Sequence, residues 1–261
     1  FYMYQKYKSL DEVKKRLVFT THTPEEAGNE KHDIYLLQKL GYFCGLSLEE
    51  ARKLTKVTGD VFDHSLCALR FARLANGVSQ LHGKVSREMW SKYDDICPIT
   101  AITNSQNGRY WMDTIMYEYM SRNRYKYLVQ RKKYLKGKLF ETIADQTGKI
   151  FDPDVLTIVW ARRFAGYKRP DLISQDIDRF DNLMSRTDQP VQIIWAGKPY
   201  PMDYGAISTF NSLVHLAKKY KHMAVLVGHE LHLSRKLKAG ADIWLNTPRV
   251  PREASGTSGM T

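Results

Sequence analysis

The sequence predicts an α/β fold whose second half forms a parallel sheet with helices on its faces. From residue 155 to residue 248, short apolar runs alternate with amphipathic segments of helical spacing. The apolar runs are continuous, which is typical of strands buried on both faces. A repeated strand–helix order requires crossover connections, and these connections produce a parallel sheet.

The elements of the second half follow in a regular order. Strands are expected at residues 155–161, 191–197, 222–228 and 241–248, and helices at 170–184, 206–220 and 231–240. Pro170 suits the first turn of its helix, because proline lacks the N–H that this turn leaves unbonded. Ligands of such sheets bind beyond the carboxyl ends of the strands, so the residues after each strand are the candidates for a site.

The first half of the sequence is predicted to be mostly helical. Ser47 and Glu50 form the pattern of a capping box ahead of a helix that closes on Gly59. Further helices are expected at residues 63–76 and 114–148, the second broken near 122–123, and buried strands at 16–22 and 98–104. The sequence "FDPD" at residues 151–154 indicates a boundary between one domain over 1–150 and another over 151–261.

Composition narrows the function classes. The chain has 261 residues, 43% of them hydrophobic, and a formal net charge of +12. No run of about 18 apolar residues occurs, so no membrane partner is expected. The three cysteines lack the spacing of a metal site, so no metal is expected. The basic cluster at residues 125–138 is interpreted as a solvated helix face, with a binding role as the alternative. Without a zinc-finger, helix-turn-helix or RRM signature, a nucleic-acid partner is the weaker interpretation.

The loop after the first strand of the second half is strongly basic. Arg162, Arg163, Lys168 and Arg169 place four cations within eight residues, and Gly166 permits a sharp turn. Cations at the carboxyl end of a parallel strand suit an anion, most naturally phosphate. A solvated basic loop is the alternative interpretation.

A second anion-binding pattern is the stretch "REASGTSGM" at residues 252–260. Its glycines allow backbone N–H groups to approach a ligand, and its hydroxyl groups add hydrogen bonds. These residues are Gly256, Gly259, Ser255, Thr257 and Ser258. Glu253 repels an anion, so it is expected to accept hydrogen bonds from sugar hydroxyls or to pair with the arginines. The alternative is the capping sequence of a following helix.

Two strand ends of the first half also carry small polar groups. His22 lies in "FTTHTP" and Asn104 ends "AITN". Both side chains suit hydrogen bonds to a neutral polyol, although each alone is more often structural.

These motifs together resemble those of the α-glucan (glycogen and starch) phosphorylases, a family of GT-B glycosyltransferases. Residues 75–90, "ANGVSQLHGKVSREMW", resemble the signature helix region of the family. "RRFAGYKR" is similar to its basic loop, and "EASGTSGM" to its cofactor signature. "FTTHTP" is similar to the short bacterial and archaeal branch, and the matches run in order from about residue 20 to the end.

The resemblance implies two Rossmann-like domains of GT-B type that face a cleft, both incomplete in this chain. It implies phosphorolysis of α-1,4-glucan to glucose 1-phosphate, with pyridoxal phosphate as the cofactor. The implied partners are α-glucan and inorganic phosphate, the implied location is the cytoplasm, and a homo-oligomer is compatible with the family.

The resemblance also implies roles for individual residues. The basic loop would hold the substrate and cofactor phosphates, and His22 would bind the sugar near its 6-hydroxyl. The catalytic residues implied are Arg163, Lys168 and His22. The substrate-binding residues implied are Asn104, Glu253, Ser255 and Gly256. The cofactor-binding residues implied are Trp111, Arg162, Thr257 and Ser258.

The sequence departs from the family at the end of the cofactor signature. The signature continues with Gly-Met-Lys, and that lysine forms a Schiff base with pyridoxal phosphate. Here Thr261 follows Met260 and has no amine, so no imine forms at this position. The loop after Asn104 differs as well, since "TNSQN" stands where the family has "TNGVH".

Three interpretations of Thr261 stay open. Pyridoxal phosphate binds without a covalent bond, the branch has given up phosphorolysis, or Thr261 is an artefact of where the chain was cut. The chain begins with Phe1 and is expected to be an internal fragment that is inactive in isolation. The alternative function is a GT-B glycosyltransferase without pyridoxal phosphate, or a glucan-binding homologue without phosphorolysis.

Overall fold

The computed structural model describes residues 1–228 and 230–260, and it divides into two compact units. Unit 1 comprises Phe1–Asn104 and Val250–Ser255. Unit 2 comprises Ser105–Arg249 and the residues from Gly256 onward. The boundary expected near residue 150 therefore falls inside unit 2.

Unit 1 contains a small parallel sheet and an antiparallel strand pair. Its helices are α1 (Tyr2–Tyr7), α2 (Leu10–Lys14), α3 (Ile34–Lys39), α4 (Leu48–Thr55), α5 (His64–Phe71) and α6 (Gln80–Trp90). Its strands are β1 (Val18–Thr20), β2 (Lys31–Asp33), β3 (Val61–Asp63), β4 (Leu74–Gly77) and β5 (Ile99–Ala101). The parallel sheet has the order β1-β4-β5, and β2 pairs with β3.

Local sequence explains part of unit 1. The capping box is confirmed, since the Glu50 N–H donates to Ser47 Oγ at 3.2 Å and the Ser47 N–H donates to the Glu50 carboxylate at 2.8 Å. Helix α4 ends at Thr55 rather than at Gly59, because Lys56 adopts the left-handed conformation. The helix predicted over 63–76 is wrong in its last part, where β4 pairs with strands on both sides.

Unit 2 contains the larger parallel sheet. Its helices are α7 (Gly108–Trp111), α8 (Thr114–Ser121), α9 (Tyr125–Thr147), α10 (Ile177–Met184), α11 (Tyr204–Ala217) and α12 (Leu231–Gly240). Its strands are β6 (Leu156–Ala161), β7 (Val191–Gly197), β8 (Met223–Val227) and β9 (Ile243–Trp244). All pairs are parallel in the order β8-β7-β6-β9, which confirms the predicted sheet.

Helices cover both faces of the unit 2 sheet. On one face, Leu139 of α9 and Leu237 of α12 belong to one buried cluster with Ile194 of β7. On the other face, Phe180 of α10 lies in a second cluster with Trp195 of β7. Helix α9 therefore completes the core of unit 2, and this packing explains why the structural boundary precedes the helix.

Two local predictions in unit 2 have different outcomes. The break near residues 122–123 is confirmed, because Asn123 has a φ of 54° between α8 and α9. Pro170 does not begin a helix, since a 3₁₀ turn at Leu172–Ser174 precedes α10 and Asp176 caps that helix.

The basic cluster at residues 125–138 is less solvated than predicted. Arg131 binds Asp113 through two hydrogen bonds of 3.0 and 2.7 Å. The buried Lys136 donates to Asp242 at 2.7 Å, and Lys132 donates to the Ala239 carbonyl at 2.9 Å. These three cations therefore stabilise unit 2 through hydrogen bonds within it. Across the described ranges, no helix is both long and apolar enough to span a bilayer.

Candidate functional site

The carboxyl ends of β1, β4 and β5 share one edge of the unit 1 sheet, because these strands are parallel. A distant segment, residues 250–255, is held at this edge by hydrogen bonds. Asn104 Nδ2, after β5, donates to Ser255 Oγ at 3.0 Å. Ser79 Oγ, after β4, donates to the Ala254 carbonyl at 2.6 Å. Two predicted sugar-binding residues, Asn104 and Ser255, are thus in direct contact.

The loop after β1 holds the same segment. Arg252 pairs with Glu25 at 3.1 Å, and both residues belong to unit 1. Glu253 lies next to this ion pair in the chain and is half-buried. His22, two residues beyond β1, is exposed. Unit 1 therefore carries four of the predicted site residues on its strand-end loops and on the segment that these loops hold.

Strands β4 and β5 pack closely against helix α6 beside this edge of the sheet. A Cβ atom on Gly77 would lie 2.7 Å from the Gly83 backbone nitrogen, and one on Gly83 would lie 2.7 Å from the Ala101 Cβ atom. Only glycine at both positions permits this approach. The signature region "ANGVSQLHG" therefore has a packing role as well as its position beside the site.

A buried histidine lies at the start of α6. The Val78 N–H donates to His82 Nδ1 at 3.0 Å, so the neutral imidazole carries its proton on Nε2. Burial lowers the pKa of His82, and this effect outweighs that of the Thr23 backbone, which raises it. The neutral imidazole is thus the form that the fold stabilises.

The basic loop after β6 is built against the end of β7. The Arg162 N–H donates to the Ala196 carbonyl at 3.1 Å, and the Phe164 N–H donates to the Lys198 carbonyl at 3.2 Å. Gly197 has a φ of 145°, and a Cβ atom there would lie 2.0 Å from the Arg162 carbonyl oxygen. The end of β7 therefore fixes the backbone conformation of the basic loop.

The predicted phosphate ligands differ in burial. Arg162 and Lys168 are only 4% and 8% exposed, whereas Arg163 is exposed. Two buried cations at the carboxyl end of a parallel strand are costly unless they are paired with acceptors or anions. Both cations therefore require partners that compensate the cost of their burial.

A fourth cation of the loop has a structural role. Arg169 Nε donates to the Thr247 carbonyl at 2.9 Å, and its terminal nitrogen donates to the Pro248 carbonyl at 3.0 Å. Arg169 also adopts the left-handed conformation, with a φ of 46°. The turn predicted at Gly166 therefore occurs at Arg169, because Gly166 begins a 3₁₀ turn with an ordinary φ.

The segment after Ser255 adopts a tight turn. Gly256 has a φ of 59°, and Thr257–Gly259 form a 3₁₀ turn rather than the start of an α-helix. A Cβ atom on Gly259 would lie 2.9 Å from Asn246 Nδ2, so this glycine permits close approach to the loop after β9. Thr261, where the family has its lysine, lies outside the described residues.

Lys198 and Asp203 follow β7. The Ala206 N–H donates to Asp203 Oδ1 at 3.0 Å, so Asp203 caps α11. The Lys198 side chain is exposed, and its backbone carbonyl accepts the hydrogen bond from the Phe164 N–H of the basic loop.

Trp111 forms part of the wall of a cavity of about 440 Å³ in unit 2. Its Nε1 donates to Gln106 Oε1 at 2.8 Å, and Lys238 Nζ lies 3.7 Å from the ring centroid. Sequence reasoning missed Gln106, Lys238 and Met260, which also line the cavity. The amphipathic pattern of α12 identified a helix but gave no signal that one of its lysines reaches an aromatic ring. Among the described residues, no group of three ligating side chains has the arrangement of a metal site.

Comparisons with known proteins found relatives that match 97% of the chain. No protein-family model matches the chain. It is 47% identical over 252 residues to an uncharacterized protein of Methanocaldococcus jannaschii, covering 97% of this chain and 48% of that protein. It is 31% identical over 297 residues to the maltodextrin phosphorylase of Thermococcus litoralis, covering 97% of this chain and 36% of that enzyme. It is 29% identical over 303 residues to the glycogen phosphorylase of Aquifex aeolicus, covering 97% of this chain and 44% of that enzyme.

The matches with the two phosphorylases are longer than the chain itself. They extend over 297 and 303 positions, whereas the chain has 261 residues, so those relatives carry additional segments inside the matched region. The chain spans less than half the length of each of these three proteins. The resemblance seen in the motifs is confirmed: over 97% of its length, the chain is homologous to proteins named glycogen phosphorylase and maltodextrin phosphorylase.

Proposed function

We propose that the protein is an α-glucan phosphorylase, which transfers the terminal glucose of an α-1,4-glucan to inorganic phosphate and releases glucose 1-phosphate. The observation that carries this proposal is the pair of buried cations, Arg162 and Lys168, in the loop after β6. Homology to glycogen and maltodextrin phosphorylases over 97% of the chain supports it.

Unit 1 would supply the groups that bind sugar. The strand-end residues Asn104 and Ser255 are neutral donors and acceptors, and their mutual hydrogen bond of 3.0 Å fixes their positions. The Glu253 carboxylate and the exposed His22 would accept or donate further hydrogen bonds to hydroxyl groups. This oxygen-rich chemistry suits a glucose residue better than it suits an anion.

Unit 2 would supply the groups that bind phosphate. Lys168 and Arg162, with Arg163 beside them, would hold the attacking phosphate and would stabilise the charge that develops as the glycosidic bond breaks. A glycosyl transition state has oxocarbenium character, so a nearby anion held by fixed cations lowers its energy. The backbone contacts at Gly197 preorganise the loop for this role.

Residues of unit 2 also fit pyridoxal phosphate. Trp111 offers an aromatic wall of the right kind for the pyridine ring, and Thr257 and Ser258 offer hydroxyls beside the tight turn at Gly256. When bound, the cofactor would supply a second phosphoryl group beside the substrate phosphate. The GT-B architecture, a cytoplasmic location and a homo-oligomer are further expectations from the same homology.

The test is glucose 1-phosphate release by the full-length protein from maltodextrin and inorganic phosphate. We expect Lys168→Gln to lower kcat/KM by about 100-fold or more, the effect typical of losing one preorganised group at a developing charge. Lys219→Gln, an exposed lysine of unit 2, is the matched control and is expected to leave the rate unchanged. A well-folded full-length protein that releases no glucose 1-phosphate at saturating pyridoxal phosphate would contradict the proposal.

A second candidate function is favoured by Thr261. Without the family's lysine, the protein would be a GT-B glycosyltransferase that lacks pyridoxal phosphate, or a glucan-binding homologue without phosphorolysis. Turnover of a sugar nucleotide, or glucan binding with no release of glucose 1-phosphate, would support this candidate over the first.

A further inference from the structure

Four consecutive carbonyl groups, at residues 167–170, accept hydrogen bonds from groups outside the basic loop. The first accepts from the Arg249 N–H at 2.7 Å, and the last accepts from the indole N–H of buried Trp195 at 2.8 Å. The two in the middle accept from the hydroxyl of Thr247, which lies shortly after β9. Thr247 therefore holds the backbone at the point where the Lys168 side chain begins.

The Thr247 hydroxyl is oriented by a buried tryptophan. Trp160, on β6, is 1% exposed, and its indole N–H donates to Thr247 Oγ1 at 3.1 Å. A hydroxyl has one proton to donate, and the indole N–H occupies one of its lone pairs. The proton is thus directed at the loop, where Thr247 Oγ1 lies 2.9 Å from the Lys168 carbonyl oxygen and 3.1 Å from that of Arg169.

Arg169 and Thr247 bind each other in both directions. The Thr247 hydroxyl faces the Arg169 carbonyl, and Arg169 Nε donates to the Thr247 carbonyl at 2.9 Å. Arg169 also has a φ of 46°, a left-handed conformation that a residue other than glycine keeps only where its surroundings determine it. The bonds to Thr247 therefore stabilise the turn that directly follows Lys168.

We propose that Thr247 is a positioning residue for Lys168. The inference rests on the proposed function, because that function assigns the attacking phosphate to Lys168. Trp160 orients the hydroxyl, and the hydroxyl fixes the loop backbone. Lys168 is only 8% exposed, so its side chain cannot compensate for a displaced backbone by swinging through solvent. A displacement of about 1 Å in such a group is enough to lower a rate by up to about 100-fold.

A role in positioning differs from a role in stability alone. Loss of a positioning residue weakens phosphate binding and leaves glucan binding intact, whereas loss of a merely stabilising residue alters neither in the folded protein. The test is Thr247→Val in the full-length protein, a change that removes the hydroxyl and retains the shape of the side chain. We expect the KM for inorganic phosphate to rise about tenfold and the KM for maltodextrin to stay within about twofold of wild type. Thr247→Ser keeps the hydroxyl and is expected to keep the phosphate KM of the wild type.

Thr157→Val is the matched control, because Thr157 lies in the same strand as Trp160. Its side chain is buried, and its hydroxyl donates to the Val155 carbonyl at 3.1 Å, at the end of β6 away from the basic loop. This variant also loses a hydroxyl hydrogen bond, so we expect it to lower the temperature of unfolding. The KM values for both substrates should remain those of the wild type.

A second variant tests the inference without requiring Thr247→Val to fold. Trp160→Phe removes the indole N–H that orients the hydroxyl and keeps an aromatic ring in the core. We expect it to raise the phosphate KM by about threefold, the effect of one weakened hydrogen bond, and to leave the KM for maltodextrin unchanged. Circular dichroism establishes that each variant is folded. Where Thr247→Val does not fold, an unchanged phosphate KM in Trp160→Phe overturns the inference.

Coupling to Lys168 shows whether Thr247 acts through that lysine. Isothermal titration calorimetry with inorganic phosphate gives the Kd of the wild type, of Thr247→Val, of Lys168→Gln and of the double variant. We expect Thr247→Val to raise the Kd about tenfold in the wild-type protein and to add little in the Lys168→Gln background. Independent losses that multiply in the double variant would overturn the inference.

The outcomes separate this inference from the proposed function. Release of glucose 1-phosphate with the same phosphate KM in Thr247→Val and Thr157→Val overturns the inference and leaves the function intact. Phosphate binding that depends on Thr247, in a wild-type protein that releases no glucose 1-phosphate, supports the inference and contradicts the phosphorylase activity. A wild-type protein that neither binds phosphate nor releases glucose 1-phosphate overturns both.

Discussion

The two parallel sheets of this protein differ in how their strand ends are held and in which chemistry they carry. In unit 1, strands of three and four residues end in neutral polar groups, and a segment from far along the chain is hydrogen-bonded to them. In unit 2, β6 and β7 have six and seven residues and are almost entirely buried, and the loop after β6 is cationic.

This difference separates two ways of fixing a site. Unit 2 fixes its basic loop by backbone contact with the next strand end, where Gly197 leaves no room for a side chain. Unit 1 fixes its polar groups by side-chain hydrogen bonds such as that of Asn104 to Ser255. Backbone contact tolerates little change, whereas a single side-chain bond contributes only modestly to stability. Substitutions in the two units should therefore differ in the size of their effects.

The largest effect is expected at Gly197. An alanine there would place Cβ 2.0 Å from the Arg162 carbonyl oxygen at a φ of 145°, so we expect Gly197→Ala to lower the free energy of unfolding by about 4 kcal/mol. Urea unfolding measures the loss. Gly137→Ala, within α9 where a Cβ meets nothing within 4 Å, is the control, and we expect it to stabilise the protein by about 0.5–1 kcal/mol. Equal unfolding free energies for Gly197→Ala and Gly137→Ala would contradict the claim that Gly197 leaves no room for a side chain.

A buried ion pair of unit 2 gives the next effect. Lys136 donates to Asp242 and to the Val155 carbonyl, and Asp242 also accepts from the Thr157 N–H. We expect Lys136→Met to cost about 3 kcal/mol in unfolding free energy, since it leaves a partly buried carboxylate without its cation.

The control for that ion pair is Lys138→Met in the same helix. Lys138 forms an exposed pair with Glu141, so the loss is expected to be much smaller than that of Lys136→Met. Urea unfolding measures both variants. Similar losses of unfolding free energy for the two lysines would show that the buried ion pair contributes no more to stability than the exposed one.

The Asn104–Ser255 hydrogen bond is expected to give a smaller effect. We expect Asn104→Ala and Ser255→Ala each to lower the unfolding free energy by about 1 kcal/mol. The double variant should lose less than the sum, with a coupling of about 0.5–1 kcal/mol measured by a double-mutant cycle. Strict additivity would mean that the bond does not stabilise unit 1.

The smallest expected effect is a pH dependence of unit 1. Because burial lowers the pKa of His82 from 6.5, the unfolded chain binds a proton that the folded chain does not at slightly acidic pH. Its contribution to stability is therefore complete well above pH 6.5 and decreases as the pH falls through this value. His64, whose pKa burial and His32 also lower, adds to the same trend. A His82→Asn variant should unfold with a flatter dependence on pH, and an unchanged slope would contradict this account.

Long buried strands were the elements best predicted from sequence. Residues 191–197 match β7, and residues 155–161 differ from β6 by one residue, because a short continuous apolar run is typical of a strand that is buried on both faces. The capping box at Ser47 was also predictable, since it depends only on neighbours within one turn.

Short strands and long-range contacts were not predictable in the same way. Strand β4 was read as the end of a helix, because its four residues acquire strand geometry from pairing with β1 and β5. The contact between Asn104 and Ser255 joins residues 151 positions apart, and no local pattern specifies it. The place of Lys238 beside Trp111 depends likewise on how α12 packs in unit 2.

The return of residues 250–255 to unit 1 has a consequence for synthesis on the ribosome. Unit 1 lacks its last segment until residue 255 has been made, by which time strands β6 to β9 of unit 2 have already been synthesised. The polar edge of unit 1 is therefore completed only after the strands of the unit 2 sheet have been synthesised. A single proteolytic cut cannot release either unit whole, because the polypeptide passes between them after residues 104, 249 and 255.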